Sequence, residues 1–200
     1  RGLKVNTVSI TCRYANGSTF TCGAGLCTYV GTMRTGSAGQ TNFTFGSVTT
    51  GGGQAATFGV WNQYNRVPIS TFVGDSVDSY ACTTASWTQF NGSAGNQVNF
   101  ILGFIEDPIL ATHNGIAAPG AANSVKFGVG QDGTTAFRGT AGYTNSTAVT
   151  SLIGQFNDYS LGIGYRFTAA IVFGSSSSTC YGDFGAATQL QSGLNWQMRM

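Results

Sequence analysis

The fold is decided by residues 96–108, NQVNFILGFIEDP, which form the longest apolar run in the chain and end at Pro108. Successive side chains of a β-strand point to opposite faces. The run therefore carries two apolar sets, Val98, Phe100, Leu102 and Phe104 on one face and Ile101 and Ile105 on the other. A strand that is apolar on both faces is covered on both sides. We predict a central strand whose second face is covered by a loop, an arm or a neighbouring subunit.

The composition around this strand is that of a β-protein with many turns. Only 8% of the residues are charged, against about 25% in an average globular domain. Glycine accounts for 30 of the 200 residues, and aromatic residues make up 12%. Thr, Val, Phe and Tyr favour strands, whereas Gly, Asn and Ser supply turns. A disordered chain would instead combine low hydrophobicity with high net charge.

Turn signals such as Asn91-Gly92, Pro119-Gly120 and Asp132-Gly133 recur along the whole chain, and no stretch keeps a helical period. We therefore predict an all-β protein, an antiparallel β-sandwich of jelly-roll type with about ten to twelve strands and little helix. The length fits a single domain over residues 1–200. Residues 1–34 could add a hairpin arm at its N-terminal end.

Five cysteines lie in strand-like segments, at positions 12, 22, 27, 82 and 180. Asn16-Gly17 predicts a hairpin between the first two. A three-residue loop would place Cys12 opposite Cys22 and allow a disulfide, whereas a two-residue loop would pair Cys12 with Thr21. We predict a Cys12–Cys22 disulfide on the first register. The spacings do not match a zinc site, so no metal is expected.

Catalytic signals are weak. Glu106 and Asp107 are neighbours on a strand, so their side chains would point to opposite faces. His113 is the only histidine, and no Gly-x-Ser-x-Gly motif accompanies it. We interpret both features as structural and expect neither an enzyme nor a cofactor.

Aromatic residues near turns are the best candidates for ligand contacts, because binding residues concentrate on loops. Tyr64, Phe90 and Tyr143 meet this condition. Their rings could stack on the CH groups of a sugar, so we consider them candidate glycan contacts.

The number and distribution of charged residues indicate which kinds of binding partner to expect. The nine basic residues are scattered singly, which argues against nucleic-acid binding. No apolar run reaches the roughly 18 residues of a membrane-spanning helix. A surface with so few charges is poorly soluble as a monomer. We therefore expect a homo-oligomer, with a trimer as the working guess.

Three stretches of the second half carry a resemblance. They are residues 95–107 (GNQVNFILGFIED), residues 128–136 (GVGQDGTTA), and the region from GIGY at 162–165 through TCYGD at 179–183 to the ending GLNWQMRM at 193–200. Together they resemble β-rich fibre-like or decoration-like virion proteins of tailed bacteriophages. The resemblance covers roughly residues 95–200 and includes no catalytic motif. It implies a structural or attachment role in an extracellular particle.

The expected function is therefore that of a non-catalytic structural protein of a bacteriophage virion, in a tail, neck or head fibre or as a decoration. Its partners would be copies of itself, other virion proteins and, for host attachment, a glycan of the host surface. Two alternatives remain open: a carbohydrate-binding module and a small-virus jelly-roll capsid protein. The latter usually carries a basic arm, and Arg1 to Lys4 is short for one.

Overall fold

The computed structural model describes residues 4–13, 17–36, 40–64, 66–104, 108–185 and 190–200. β-strands are the predominant element of these residues, and the single helical element among them is a 3-10 turn at Phe90–Gly92. The all-β prediction is confirmed. The strands outnumber the expected ten to twelve because several are pieces of two or three residues. In chain order they are β1 (Ile10–Arg13), β2 (Thr19–Cys22), β3 (Gly31–Met33), β4 (Phe43–Thr44), β5 (Val48–Thr49), β6 (Ala56–Phe58), β7 (Val60–Asn62), β8 (Pro68–Asp75), β9 (Tyr80–Ala81), β10 (Trp87–Gln89), β11 (Gln97–Leu102), β12 (Ile109–Ala118), β13 (Val125–Gln131), β14 (Arg138–Thr144), β15 (Thr150–Asp158), β16 (Gly164–Phe173), β17 (Thr179–Tyr181), β18 (Asp183–Phe184) and β19 (Leu190–Arg199).

One large sheet curls into two facing layers. The first layer has the order β4-β6-β11-β16-β13-β14, and the second has the order β15-β12-β19-β8-β5. They join where β14 pairs with β15, at Thr140 and Gln155. Most neighbours are antiparallel, whereas β6 with β11 and β5 with β8 are parallel pairs. The arrangement is a sandwich-like fold, as the sequence predicts, with parallel pairs that it does not.

Aromatic rings join the two layers in the core. Trp196 of β19 stacks on Phe58 of β6, with ring centroids 5.4 Å apart and planes inclined by 19°. Phe100 of β11 packs against the same indole at 5.1 Å. Offset and edge-to-face ring pairs add stabilisation beyond the buried area. The face of β11 that carries Phe100 is therefore its core face.

The second face of β11 is covered by the N-terminal part of the chain. Ile101 is buried on that side, and a methyl group at Gly103 would overlap the ring of Trp61 on β7. Tyr29 stacks on Trp61 at 5.9 Å, and its hydroxyl donates a 3.4 Å hydrogen bond to the Gly103 carbonyl. This confirms that β11 is covered on both sides, and the cover on its second face comes from β7 and Tyr29 of the same chain. Ile105, Glu106 and Asp107 lie outside the described residues.

Two cation–π contacts fasten this cover to the first layer. The Lys4 ammonium lies 4.5 Å from the ring centroid of Phe104, and the Arg34 guanidinium lies 3.5 Å from that of Tyr165 on β16. Such contacts contribute about 0.5–2 kcal/mol each, depending on exposure. We call residues 4–36 together with β7 the N-terminal cover.

The predicted Cys12–Cys22 disulfide is wrong. The hairpin of β1 and β2 forms, but its register places Cys12 opposite Phe20 and Ile10 opposite Cys22. The connection runs over residues 14–18 and is longer than the three residues that the prediction required, so the pairing shifts by two positions. Cys22 instead bonds Cys27, and Cys12 remains a free thiol.

A second disulfide, which the sequence alone did not indicate, joins Cys82 after β9 to Cys180 on β17. Both cysteines are buried, and 98 residues of sequence separate them. A crosslink restricts the unfolded chain more as the loop it closes grows longer. This bond therefore constrains most of the second half of the chain, whereas Cys22–Cys27 fixes only one turn.

We expect the two disulfides to differ in their contribution to stability. Replacing Cys82 and Cys180 by alanine should lower the free energy of unfolding by up to about 4.7 kcal/mol, the value for a loop of about 100 residues in the chain-entropy model. The matched pair Cys22→Ala and Cys27→Ala should cost about 2 kcal/mol in the same model. Urea denaturation of both variants measures the difference, and equal losses would contradict this account.

We also expect Trp61 to stabilise the fold through its contact with β11. Trp61→Ala should lower the free energy of unfolding by about 3–5 kcal/mol, because it leaves a cavity beside Gly103. Tyr64→Ala is the matched control, since this exposed ring lies close by in the sequence and should change stability by less than about 0.5 kcal/mol. A loss for Trp61→Ala no larger than the control's would show that the cover does not protect β11.

Candidate functional site

The three candidate glycan contacts lie in different surroundings. Tyr64 and Tyr143 are exposed, Tyr64 after β7 and Tyr143 on β14. Phe90 is 0% exposed, and its ring packs against Tyr80, His113 and Phe127. The assignment of Phe90 to a glycan site is therefore wrong. The turn signal that selected Phe90 is real, but the 3-10 turn, with Asn91 at φ 51°, leaves the ring in the core.

His113 is buried on β12 between two aromatic rings. Its ring centroid lies 5.0 Å from that of Phe90 and 5.1 Å from that of Phe127, both edge to face. Its Nδ1 atom lies 3.0 Å from the Gly128 carbonyl. Burial lowers the pKa of His113 to about 4, although the backbone of Gly128 and Ile171 opposes the shift. The imidazole is therefore neutral at pH 7 and packs as a core ring.

Asp75, Asp78 and Asp183 form an acidic cluster near the ends of β8 and β18. Desolvation, followed by the charge and hydrogen bond of Asp78, raises the pKa of Asp183. The carboxylate of Asp75 already accepts hydrogen bonds from the Val77 backbone N–H, at 3.0 Å, and from the Asn91 amide, at 2.6 Å. In the described part of the chain, no group of three or more His, Cys, Asp and Glu residues is arranged to hold a metal ion. The hydrogen bonds of the Asp75 carboxylate thus stabilise the local structure of the protein itself.

The outer face of the second layer, together with the adjoining strand β14 of the first layer, carries a row of five side chains that crosses five adjacent strands. Backbone pairing places Phe72 beside Asn195, Asn195 beside Thr112, and Thr112 beside Gln155. The row ends at Thr140, which pairs with Gln155. Neighbouring strands lie about 4.8 Å apart, so the row is about 19 Å long.

A second row runs parallel to the first, two residues further along each strand. Its members are Ser70, Gln197, Leu110 and Asn157. The two rows line two cavities of about 450 Å³ each, and both cavities include Leu110 and Thr112. We call this surface, made of the nine side chains of both rows, the amide groove.

An aromatic ring lies flat over the backbone at one end of the amide groove. Gly74 pairs with Gly193 across β8 and β19. A methyl group at either glycine would overlap the ring of Phe72. The absence of side chains at these two positions therefore lets the ring rest on the sheet while staying partly exposed.

The amide groove is uncharged. Two cations within the described residues lie at its borders: Arg199, which pairs with Pro68 at the end of the sheet, and Arg138 on β14, whose guanidinium lies 3.7 Å from the Asp158 carboxylate. The seven polar side chains of the groove make no hydrogen bond to other described residues. Their amide and hydroxyl groups are therefore available to a ligand.

Sequence reasoning did not single out the amide groove. Residues 109–114 and 194–199 alternate between buried and more exposed positions, and apart from Leu110 and His113 the buried ones are apolar and the others polar, which is typical of an ordinary solvent-facing strand. The groove arises because β8, β12, β15 and β19, which are distant in sequence, lie side by side. The only local signal was the repeated occurrence of amides at the outward positions.

Exposed apolar side chains are concentrated in the first third of the chain. Thirteen of the twenty-two large apolar residues that are exposed among the described residues lie between Val5 and Val67. Leu26 and Met33 are the most exposed of them, at 79% and 69%. Met33 lies directly opposite Val60, which is also exposed, in the pair of β3 and β7. The side of the N-terminal cover that faces away from β11 is thus largely apolar, with Asn62 as an exposed polar residue on the same face of β7.

Comparison with models of protein families and with curated proteins gave no match for this chain. Among the described residues, no helix is long and apolar enough to span a membrane.

We expect the buried His113 to make stability depend on pH. Its pKa of about 4 in the folded protein is lower than the ordinary histidine value of 6.5, so the unfolded chain binds more protons between these pH values. Stability should therefore fall by about 3 kcal/mol from pH 7 to pH 4. Urea denaturation at both pH values measures this loss. His113→Gln, although less stable at pH 7, should show a smaller loss on acidification, and an equal loss would exclude His113 as its source.

Proposed function

We propose that this chain is a non-catalytic structural component of a bacteriophage virion, and that it acts by assembling with copies of itself and with other virion proteins. The observation that carries the proposal is the apolar outer side of the N-terminal cover. Contiguous exposed apolar surface in a soluble protein marks an interaction site. The sparse charge of the chain, 8% of its residues, supports the same proposal.

The chemistry of this surface suits a protein partner. Leu26, Met33 and Val60 offer aliphatic side chains, and none of the three pairs with a charge. Aliphatic and methionine side chains are typical of the desolvated centre of stable interfaces. Association would remove from water the apolar area that the folded monomer leaves exposed.

An aromatic pair lies at a sheet edge in the same region. β4 is the last strand of the first layer and carries Phe43, whose ring packs edge to face with that of Phe45 at 6.0 Å. Both rings also contact the buried Phe58, at 5.1 and 5.4 Å, and both are exposed on their other side. An edge strand has unpaired backbone groups, which another chain can meet by strand addition. The unpaired backbone groups of this edge would thus add directional hydrogen bonds to an association through the apolar surface.

The assignment to a phage particle rests on the resemblance of residues 95–200 to β-rich virion proteins. Two features are compatible with it. The fold is a rigid sandwich built on aromatic contacts, and the two disulfides suit an extracellular particle, since such bonds persist in oxidising surroundings. The mechanism is mechanical, because the chain supplies a stiff module and the cover joins copies of it.

We expect the purified chain to form a homo-oligomer, with a trimer as the simplest form, and Leu26→Gln with Met33→Gln to convert it to a monomer. Both side chains are exposed, so the substitutions should leave the fold intact. Ile163→Gln is the matched control, because this isoleucine is 60% exposed and lies outside the cover.

Sedimentation equilibrium, with and without reductant, measures the assembly state of all three proteins. A reductant-insensitive monomer at high concentration would overturn the proposal. An oligomer that the cover variant retains and the control disrupts would place the interface elsewhere.

A further inference from the structure

We infer that the amide groove on the outer face of the second layer binds a neutral oligosaccharide. This inference goes beyond the proposed role in assembly and rests on a different surface. The groove crosses β8, β19, β12, β15 and β14, whereas the apolar interface lies on the N-terminal cover.

The polar side chains of the groove match the hydroxyl groups of a sugar. A hydroxyl both donates and accepts a hydrogen bond, and a carboxamide carries two donors and an acceptor on one planar group. Asn195, Gln155, Asn157 and Gln197 supply four carboxamides, all of them exposed and without hydrogen bonds to other described residues. Thr112 adds a hydroxyl at the centre, between Asn195 and Gln155.

Two apolar side chains of the groove suit the CH faces of a sugar ring. Phe72 rests over Gly74 and Gly193 at one end of the first row. Leu110 lies in the middle of the second row and borders both cavities. Aromatic faces carry partial negative charge, which attracts the CH groups of a pyranose. The amides lie next to these two apolar side chains. A single sugar unit could therefore contact both a hydrogen-bonding group and an apolar group.

The absence of charge selects a neutral ligand. A carboxylate or sulfate in the groove would lose water without gaining an unpaired cation, which is unfavourable, because Arg199 lies at the end of the sheet and Arg138, at the β14 border, already pairs with Asp158 at 3.7 Å. A protein partner fits less well. Protein interfaces depend on a few aromatic or arginine anchors, whereas the groove offers one partly covered ring, and the apolar cover provides a better protein surface.

The dimensions agree with an extended chain of sugars. Each of the two cavities, of about 450 Å³, is within the usual range for ligand sites. They share Leu110 and Thr112, so a linear ligand could occupy both. The row of about 19 Å runs across the strands and gives such a ligand a contact on every strand.

The test is isothermal titration calorimetry of the full chain with neutral linear hexasaccharides of glucose, galactose, mannose and N-acetylglucosamine, and with a sulfated hexasaccharide as the charged probe. We expect at least one neutral hexasaccharide to bind with an affinity that salt does not change. Asn195→Ala with Gln155→Ala should weaken this binding at least tenfold, and Phe72→Ala should weaken it at least fivefold.

Asn145→Ala is the matched control, because Asn145 is an exposed asparagine in the loop after β14, outside the groove. It should bind as the wild type does. Circular dichroism and thermal melting check that each variant is folded, and the single variant Gln155→Ala replaces the double variant if that fails. No binding to any neutral probe would overturn the inference. So would binding that the groove variants retain, binding that Tyr64→Ala or Tyr143→Ala abolishes instead, or salt-sensitive binding to the sulfated probe alone.

The cover variant Leu26→Gln with Met33→Gln separates this inference from the proposed function. A monomeric variant should still bind the oligosaccharide with the affinity of a single wild-type site, because neither substitution touches the groove. Loss of assembly with retained binding supports both proposals. Loss of assembly in the variant, with no binding by either the variant or the wild-type chain, removes only the groove.

Discussion

The structure depends on one constraint, which is that β11 is apolar on both faces. A two-layer sandwich can cover only one of them with its core. Here Phe100 faces Trp196 inside the sandwich, and Gly103 lies against Trp61 on the other side. The second contact is possible because Gly103 has no side chain, so the indole ring lies directly on the strand. The chain therefore needs a third partial layer, and its first residues supply it.

That solution exposes apolar surface elsewhere. The β3–β7 pair that carries Trp61 is a separate two-stranded sheet, and in the described part of the chain no further sheet layer covers its face opposite β11. Met33 and Val60 on this pair remain in water. Trp61 covers β11 from a ribbon of only two strands. The other face of this ribbon therefore exposes apolar side chains to water. In the proposed assembly, association with a second copy would remove this surface from water.

The sequence was sufficient for those features that depend on local pattern. The apolar run of residues 96–108 predicted a strand covered on both faces, which is β11, and the turn signals predicted an all-β chain. Features that depend on how distant segments pair could not be predicted from the sequence. The disulfides depended on the length of the connection between β1 and β2 and on the approach of Cys82 to Cys180 across 98 residues. Phe90 was misassigned because its turn sends the ring inward, and Glu106 and Asp107 lie outside the described residues.

The amide groove shows why the candidate site was the least predictable part. Each strand contributes only one or two amides at outward positions, which is unremarkable in isolation. The site exists because β8, β19, β12 and β15 bring Phe72, Asn195, Thr112 and Gln155 into one row. The cover and the groove also differ in kind. One surface, the cover, exposes mainly apolar side chains, which suits association by exclusion of water. The other is rich in paired donors and acceptors, which suits a ligand covered with hydroxyls. A protein with very few charges can keep such surfaces distinct, because hydrogen-bonding capacity replaces charge as the basis of selectivity.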